Sequence, residues 1–119
     1  MDSKPIELEE KRKLRQLLAV LQEFKKVDSE ITLPSLIAYV VMASEDGQRG
    51  NQKSIEDALE MSNATNSRAT SHWADFKMPR HAGLGMMDSI IDPDDRRYRI
   101  LKLRDSGIEL AKNIMRHLT

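Results

Sequence analysis

Residues 92–107 read Asp-Pro-Asp-Asp-Arg-Arg-Tyr-Arg-Ile-Leu-Lys-Leu-Arg-Asp-Ser-Gly. Asp92-Pro93-Asp94-Asp95 predicts a tight turn, because Asp side chains bond nearby backbone amides and Pro presets its own φ. Tyr98 to Leu103 predicts a strand. Its alternation is imperfect, since Ile100 and Leu101 are both apolar. Ser106-Gly107-Ile108-Glu109 matches a capping box, in which the two polar side chains satisfy free amides at a helix start. A final helix over 106–118 then places Ile108, Ala111, Met115 and Leu118 on one face. Upstream, Leu84 to Ile91 reads as the strand that pairs with 98–103, so the turn closes a hairpin.

Before the hairpin the chain reads as helices. Ser62 resembles a cap and opens a helix to about residue 76. Asn63, Thr65, Asn66, Ser67, Arg68, Thr70, Ser71 and His72 crowd this segment, and only Ala69, Trp73 and Phe76 offer an inward stripe. Short polar side chains compete with helical hydrogen bonds, so such a helix needs packing or a ligand on its exposed face. Trp73 is expected in the core. A short helix covers 52–60, capped by Asn51 or Ser54, and Gly47 to Gly50 forms a turn. A helix over 33–45 has Thr32 as its cap and tolerates Pro34 in its first turn. It is apolar on most sides, from Leu36 to Met42, and belongs at the centre of the core. The first helix, 6–27, carries Leu14, Leu17, Leu18, Leu21 and Phe24 as one stripe. Pro79 and Gly83 break the chain ahead of the hairpin.

Composition narrows the function. With 119 residues, 39% hydrophobic and 32% charged, the chain suits one surface-rich domain with a small core. It has no cysteine, which removes disulfides, thiol catalysis and Cys-ligated metals. The three histidines lack zinc-like spacing, and no run is long enough to cross a membrane. The N-terminus has no apolar signal core. Lys plus Arg equals Asp plus Glu at 19 each, yet the charge is uneven. Residues 83–95 carry four acids and no base, while 96–104 carry four arginines, one lysine and no acid.

Two helices joined by a tight turn and followed by a hairpin is the order of a winged helix-turn-helix. Met61-Ser62-Asn63-Ala64-Thr65-Asn66-Ser67-Arg68 resembles the turn and recognition-helix start of the multiple antibiotic resistance regulator (MarR) family. That family favours an apolar residue, then Ser, Ala-Thr and Ser-Arg at these spacings. Asp92 to Arg97 resembles its wing tip, and the match continues through Leu101-Lys102-Leu103 to Gly107. The resemblance covers about residues 31–110. It departs at Asn66 and Glu56, at Arg104 in place of a Thr cap (a role open to Asp105 or Ser106), and at a basic insert over 76–83. The resemblance implies a mainly α fold with a small β-hairpin: helix-turn-helix over 51–76, wing over 84–103, flanking helices 6–27 and 106–118 for dimerisation. Only residues 108–119 follow Gly107, which argues against a small-molecule effector crevice.

These residues suit double-stranded DNA. A helix fits the major groove, where short polar side chains and Arg reach base edges. Thr65, Arg68 and His72 share a helix face by spacing, with Ser67 beside them and Asn63 at the exposed start. Arg68 is the candidate for a bidentate guanine contact. Asn51, Gln52 and Lys53, opening the third helix, suit a phosphate. Lys77 and Arg80 in the insert could lengthen the contact. In the resemblance Arg97 enters the minor groove and Asp95 pairs with an arginine and orients it, while Arg96 and Arg99 add backbone charge. The apolar stripes of the outer helices predict a homodimer, with two recognition helices roughly 34 Å apart on a near-palindromic site. The expected function is a cytoplasmic transcription regulator, nucleoid-associated (or in host cytoplasm if viral), with no cofactor, metal or catalytic residue. The other reading is a protein-interaction module on the same scaffold.

Overall fold

The computed structural model describes residues 4–60, 68–74, 76–78 and 81–119. Helix α1 spans Leu8–Val27. Its start is a capping box, with the Glu10 carboxylate accepting the Glu7 N–H at 3.0 Å. Glu9 and Glu10 in the first turn and Lys25 and Lys26 in the last suit the helix dipole. Helix α2 spans Leu33–Ser44, and the Thr32 hydroxyl accepts the Ser35 N–H at its start. As expected of an apolar helix, α2 sits in the core, where Ala38, Tyr39 and Met42 are fully buried.

The turn after α2 has Gly47 at φ 67, a left-handed position that favours glycine. It leads into a short strand, β1 (Arg49–Asn51), that the sequence reading did not anticipate. Helix α3 (Gln52–Leu59) follows directly, so Asn51 ends a strand. Residues 68–71 are helical and 72–74 turn, so among the described residues this helix ends at 71 rather than 76. The insert is a pair of strands, β2 (Phe76–Met78) and β3 (His81–Ala82). The hairpin strands are β4 (Met87–Ile91) and β5 (Arg99–Leu103), and the closing helix is α4 (Asp105–Met115).

The three longer-range strands form one antiparallel sheet in the order β1-β5-β4. Met87 faces Leu103 and Ile91 faces Arg99, while Asn51 lies opposite Ile100. Alternation sends Met87, Leu101 and Leu103 inward. The 84–86 lead-in is not strand because it is tied elsewhere. Leu84 N–H donates to the His72 carbonyl, Gly85 N–H to Ala74 and Met86 N–H to Trp73, at 2.8–2.9 Å.

Three aromatic rings centre the core. Trp73 and Tyr39 lie 4.7 Å apart between centroids, and Phe24 meets Tyr39 edge-on at 5.5 Å. Both polar tips are satisfied. The Trp73 indole N–H donates to the Ser35 carbonyl at 2.7 Å, and the Tyr39 hydroxyl donates to the Gly107 carbonyl at 2.6 Å. Burial pushes the Tyr39 hydroxyl above its ordinary range, so it remains a donor.

The expected Ser106–Glu109 capping box is absent. Helix α4 begins one residue earlier, with Arg104 at the cap and no side-chain cap bond. Arg104 instead reaches back to the sheet, donating to Asp88 at 2.7 Å and to the Gly85 carbonyl at 3.2 Å. Gly107 explains the close approach: a Cβ there would stand 2.6 Å from the Met86 carbonyl oxygen. That oxygen also accepts the Arg104 N–H, so it cannot easily retreat. Alanine gains up to about 1 kcal/mol over glycine in a helix. The clash outweighs that gain, and Gly107→Ala is expected to destabilise the fold by about 1–3 kcal/mol. An unchanged urea midpoint in the variant would contradict the contact.

Candidate nucleic-acid interface

The wing tip is built by its own acids. The Asp94 N–H donates to the Asp92 carboxylate at 2.8 Å, a local turn of the kind Asp favours. The Tyr98 N–H donates to the Asp95 carbonyl and the Asp92 N–H to the Tyr98 carbonyl, each at 3.0 Å. The turn then carries a fork. Arg97 Nε donates to one oxygen of Asp95 and an Nη to the other, both at 3.0 Å. The Arg97 backbone N–H adds a third bond at 3.2 Å. Those bonds hold the Asp95 carboxyl below the usual carboxylate range and the guanidinium above its own. The Arg97 side chain remains 82% exposed. Its guanidinium lies 5.7 Å from the centre of the Tyr98 ring.

The three wing arginines differ. Arg97 is held at the tip and projects. Arg96 is exposed. Arg99 braces the hairpin, donating to the Ser89 hydroxyl and, at 2.9 Å, to the Ser89 carbonyl.

The β1–β5 pairing brings the start of α3 to this hairpin. Asn51 pairs with Ile100, and Gln52 opens the helix next to it. Lys53 is exposed and close enough to act on the Asp95 carboxylate, which it also helps to hold ionised. The wing tip and the α3 start therefore share one electrostatic neighbourhood, joined by a strand missed in the sequence. Its signal was weak, since Arg49-Gly50-Asn51 has neither length nor β-branching.

Arg68 is exposed at the head of the described helical residues 68–71. The positions Asn63, Thr65, Ser67 and Arg80 lie outside the described residues. Lys77 is the middle residue of β2. His72 is a correction. It is 6% exposed, in the turn after residue 71, and its Nε2 lies 2.9 Å from the Asp28 carboxylate. The His72 N–H still donates to the Arg68 carbonyl at 3.2 Å, and it is the Asp28 carboxylate that holds the ring inside. Asp28 lies between the first two helices, outside the candidate residues that the sequence singles out. The same carboxylate accepts the Glu30 N–H at 3.0 Å, so it organises the α1–α2 elbow. Among the described residues no group of three or more His, Cys, Asp or Glu could hold a metal. No described helix is long and apolar enough to cross a membrane.

No family model matches the sequence, and no curated protein does. Solved structures do. The MepR protein of S. aureus, solved as a DNA complex, superposes with a TM-score of 0.66 over 88% of this chain and 77% of its own, at 18% identity. MarR gives 0.58 over 87% and 74%, also at 18%. AbsC from Streptomyces coelicolor, a MarR family transcriptional regulator, gives 0.52 over 98% and 82%, at 15%. The chain has a MarR-like winged-helix fold.

Within that MarR-like fold, α3 and the helical residues 68–71 stand where a helix-turn-helix is expected, and β4–β5 form the wing. The β2–β3 strand pair lies between the two, in the insert of residues 76–83. Gly83 anchors it: a Cβ there would stand 2.1 Å from the Ala74 carbonyl oxygen.

Proposed function

We propose that the chain is a transcription regulator that binds double-stranded DNA as a homodimer. The observation that carries the reading is the Asp95–Arg97 fork, which holds an arginine outward at the tip of the wing. A pre-positioned guanidinium loses less freedom on binding, and a narrow minor groove attracts it. Lys53, with Gln52 at the α3 start, supplies phosphate contacts beside it. Arg68 reads bases in the major groove. Asn63, Thr65 and Ser67 join it, Arg96 and Arg99 add charge along the backbone, and Lys77 and Arg80 extend the contact. MepR, a structural neighbour, was solved with DNA, which supports the reading. The protein works in the cytoplasm, has no catalytic role and carries no cofactor.

The test is a labelled mixed-sequence duplex titrated across a salt series. The wild type is expected to bind, and log affinity to fall linearly with log salt as phosphates release counterions. Arg97→Ala and Arg68→Ala are each expected to weaken binding by roughly tenfold or more, the worth of one good arginine contact. Asp95→Ala is also expected to weaken it, although it removes a negative charge, because the arginine loses its support. A gain in affinity in that variant would remove the orienting role. Absence of binding at low salt by the folded protein would leave the scaffold as a protein-interaction module.

A further inference from the structure

Helix α1 presents three faces. Val20, Phe24 and Val27 pack toward the core, while Leu14, Leu17, Leu18 and Leu21 are each about half exposed on a stripe centred roughly 100° round the helix, so the single stripe expected from Leu14 to Phe24 splits. The third face, another third of a turn round, carries Lys11, Arg12 and Arg15. The end of α4 closes against that side. The His117 ring pairs with Glu23 at 3.0 Å, and the Gln16 amide donates to the Thr119 hydroxyl at 2.8 Å. Between the two helices runs a groove of about 560 Å³, with Lys11, Arg12 and Arg15 on one wall and Arg116 and His117 on the other. Leu8 and Ala19 line its ends.

The groove is short of anions. Glu23 is already engaged by His117 and by Lys26 at 3.3 Å. Arg12 meets Glu9 only at 3.9 Å, with both side chains about two-thirds exposed. Among the described residues Lys11 and Arg15 make no ion pair. Like charges gathered on one surface repel, and an anionic partner relieves that repulsion.

We propose that this groove docks an acidic peptide segment of a partner protein. Charge complementarity selects an acidic occupant. The length of the groove selects a peptide over a small anion: its α1 lining, residues 8–19, covers roughly 16 Å, the length of about five extended residues, with Lys11, Arg12 and Arg15 within it. The apolar contributions of Leu8 and Ala19 suit leucines among the acids. The site is separate from the wing and the α3 start.

The probe is a fluorescein-labelled poly-Glu peptide with interspersed leucines, titrated by anisotropy against the full chain. Its Glu→Gln counterpart is the control. Binding that the control lacks, and that Arg12→Glu with Arg15→Glu weakens by about tenfold or more, supports the proposal, provided the variant keeps wild-type DNA affinity and melting behaviour. Four results overturn it. The peptide fails to bind. The double variant binds it normally while Arg97→Ala does not, which puts the peptide on the wing. Inorganic pyrophosphate displaces it as well as unlabelled peptide does, which makes this a small-anion site. The double variant loses DNA binding in step, which makes the groove part of the DNA footprint.

Discussion

Trp73→Ala is expected to lower the melting temperature by roughly 10–20 °C, a loss of about 3–5 kcal/mol. Trp73 is fully buried and stacks against Tyr39 and Phe24, so removal leaves a ring-sized cavity at the junction of α1, α2 and the 72–74 turn. It also removes the bond from the indole N–H to the Ser35 carbonyl. A domain of this size has only about 5–15 kcal/mol in hand, so the variant keeps little margin. The backbone carbonyl of Trp73 accepts the Met86 and Met87 N–H groups, and collapse around the cavity would disturb that seam. The wing would then loosen relative to Arg68, and DNA affinity should fall along with stability. Trp73→Phe, which keeps an aromatic ring, should recover part of the loss. Calorimetric melting measures both variants, and a fall under about 4 °C for Trp73→Ala would refute the packing account.

Leu17→Glu with Leu18→Glu is expected to convert a dimer into a monomer. Leu14, Leu17, Leu18 and Leu21 are each about half exposed on one stripe of α1, and Met115 and Leu118 are exposed at the end of α4. A patch of this kind on one small chain calls for a cover. Two copies of α1 packed antiparallel about the midpoint of Leu17 and Leu18 bring the leucines together. The same register sets Glu10 of one copy against Lys25 of the other, beside the leucine stripe, so charge agrees with the apolar contact. Replacing four leucines across the pair removes roughly 4 kcal/mol or more of burial, a thousandfold or greater loss in dimer affinity. The leucines contribute little to the monomer core, so the variant should melt at nearly the wild-type temperature at high dilution. Sedimentation equilibrium decides the matter. A monomeric wild type at micromolar concentration, or a double variant that still dimerises, would refute this interface.

Much of the fold could be read from local signals. The helical span of α1, the Thr32 cap, the Asp-Pro-Asp-Asp turn and the hairpin strands follow from local signals, where spacing and side-chain chemistry are decisive, whereas the single α1 stripe splits, with Phe24 buried and Leu14, Leu17, Leu18 and Leu21 half exposed. The pairing of Asp95 with an arginine was implied by the family resemblance, and the structure forms it within one turn, between residues two apart. The chain order helix, helix, short helix, helix, hairpin, helix then pointed to a winged helix-turn-helix.

The rest depended on partners far along the chain. His72 has the same spacing from Arg68 as a groove-facing residue would have. Only the elbow at Asp28, 44 positions earlier, explains why it turns inward. Asp105 and Ser106 offered a plausible cap, but helix α4 starts early with Arg104 at the cap position, its side chain claimed by Asp88 and the Gly85 carbonyl. Strand β1 is too short to signal itself, and forms because β5 presents a free edge to it. The sequence by itself determined the types and order of the elements, since those follow from hydrogen bonds and apolar periods a few residues long. Only the tertiary structure decided which polar residues remain outside. That choice belongs to the few buried partners (Trp73 with Ser35, His72 with Asp28, Gly107 against Met86) whose burial leaves no alternative place for them.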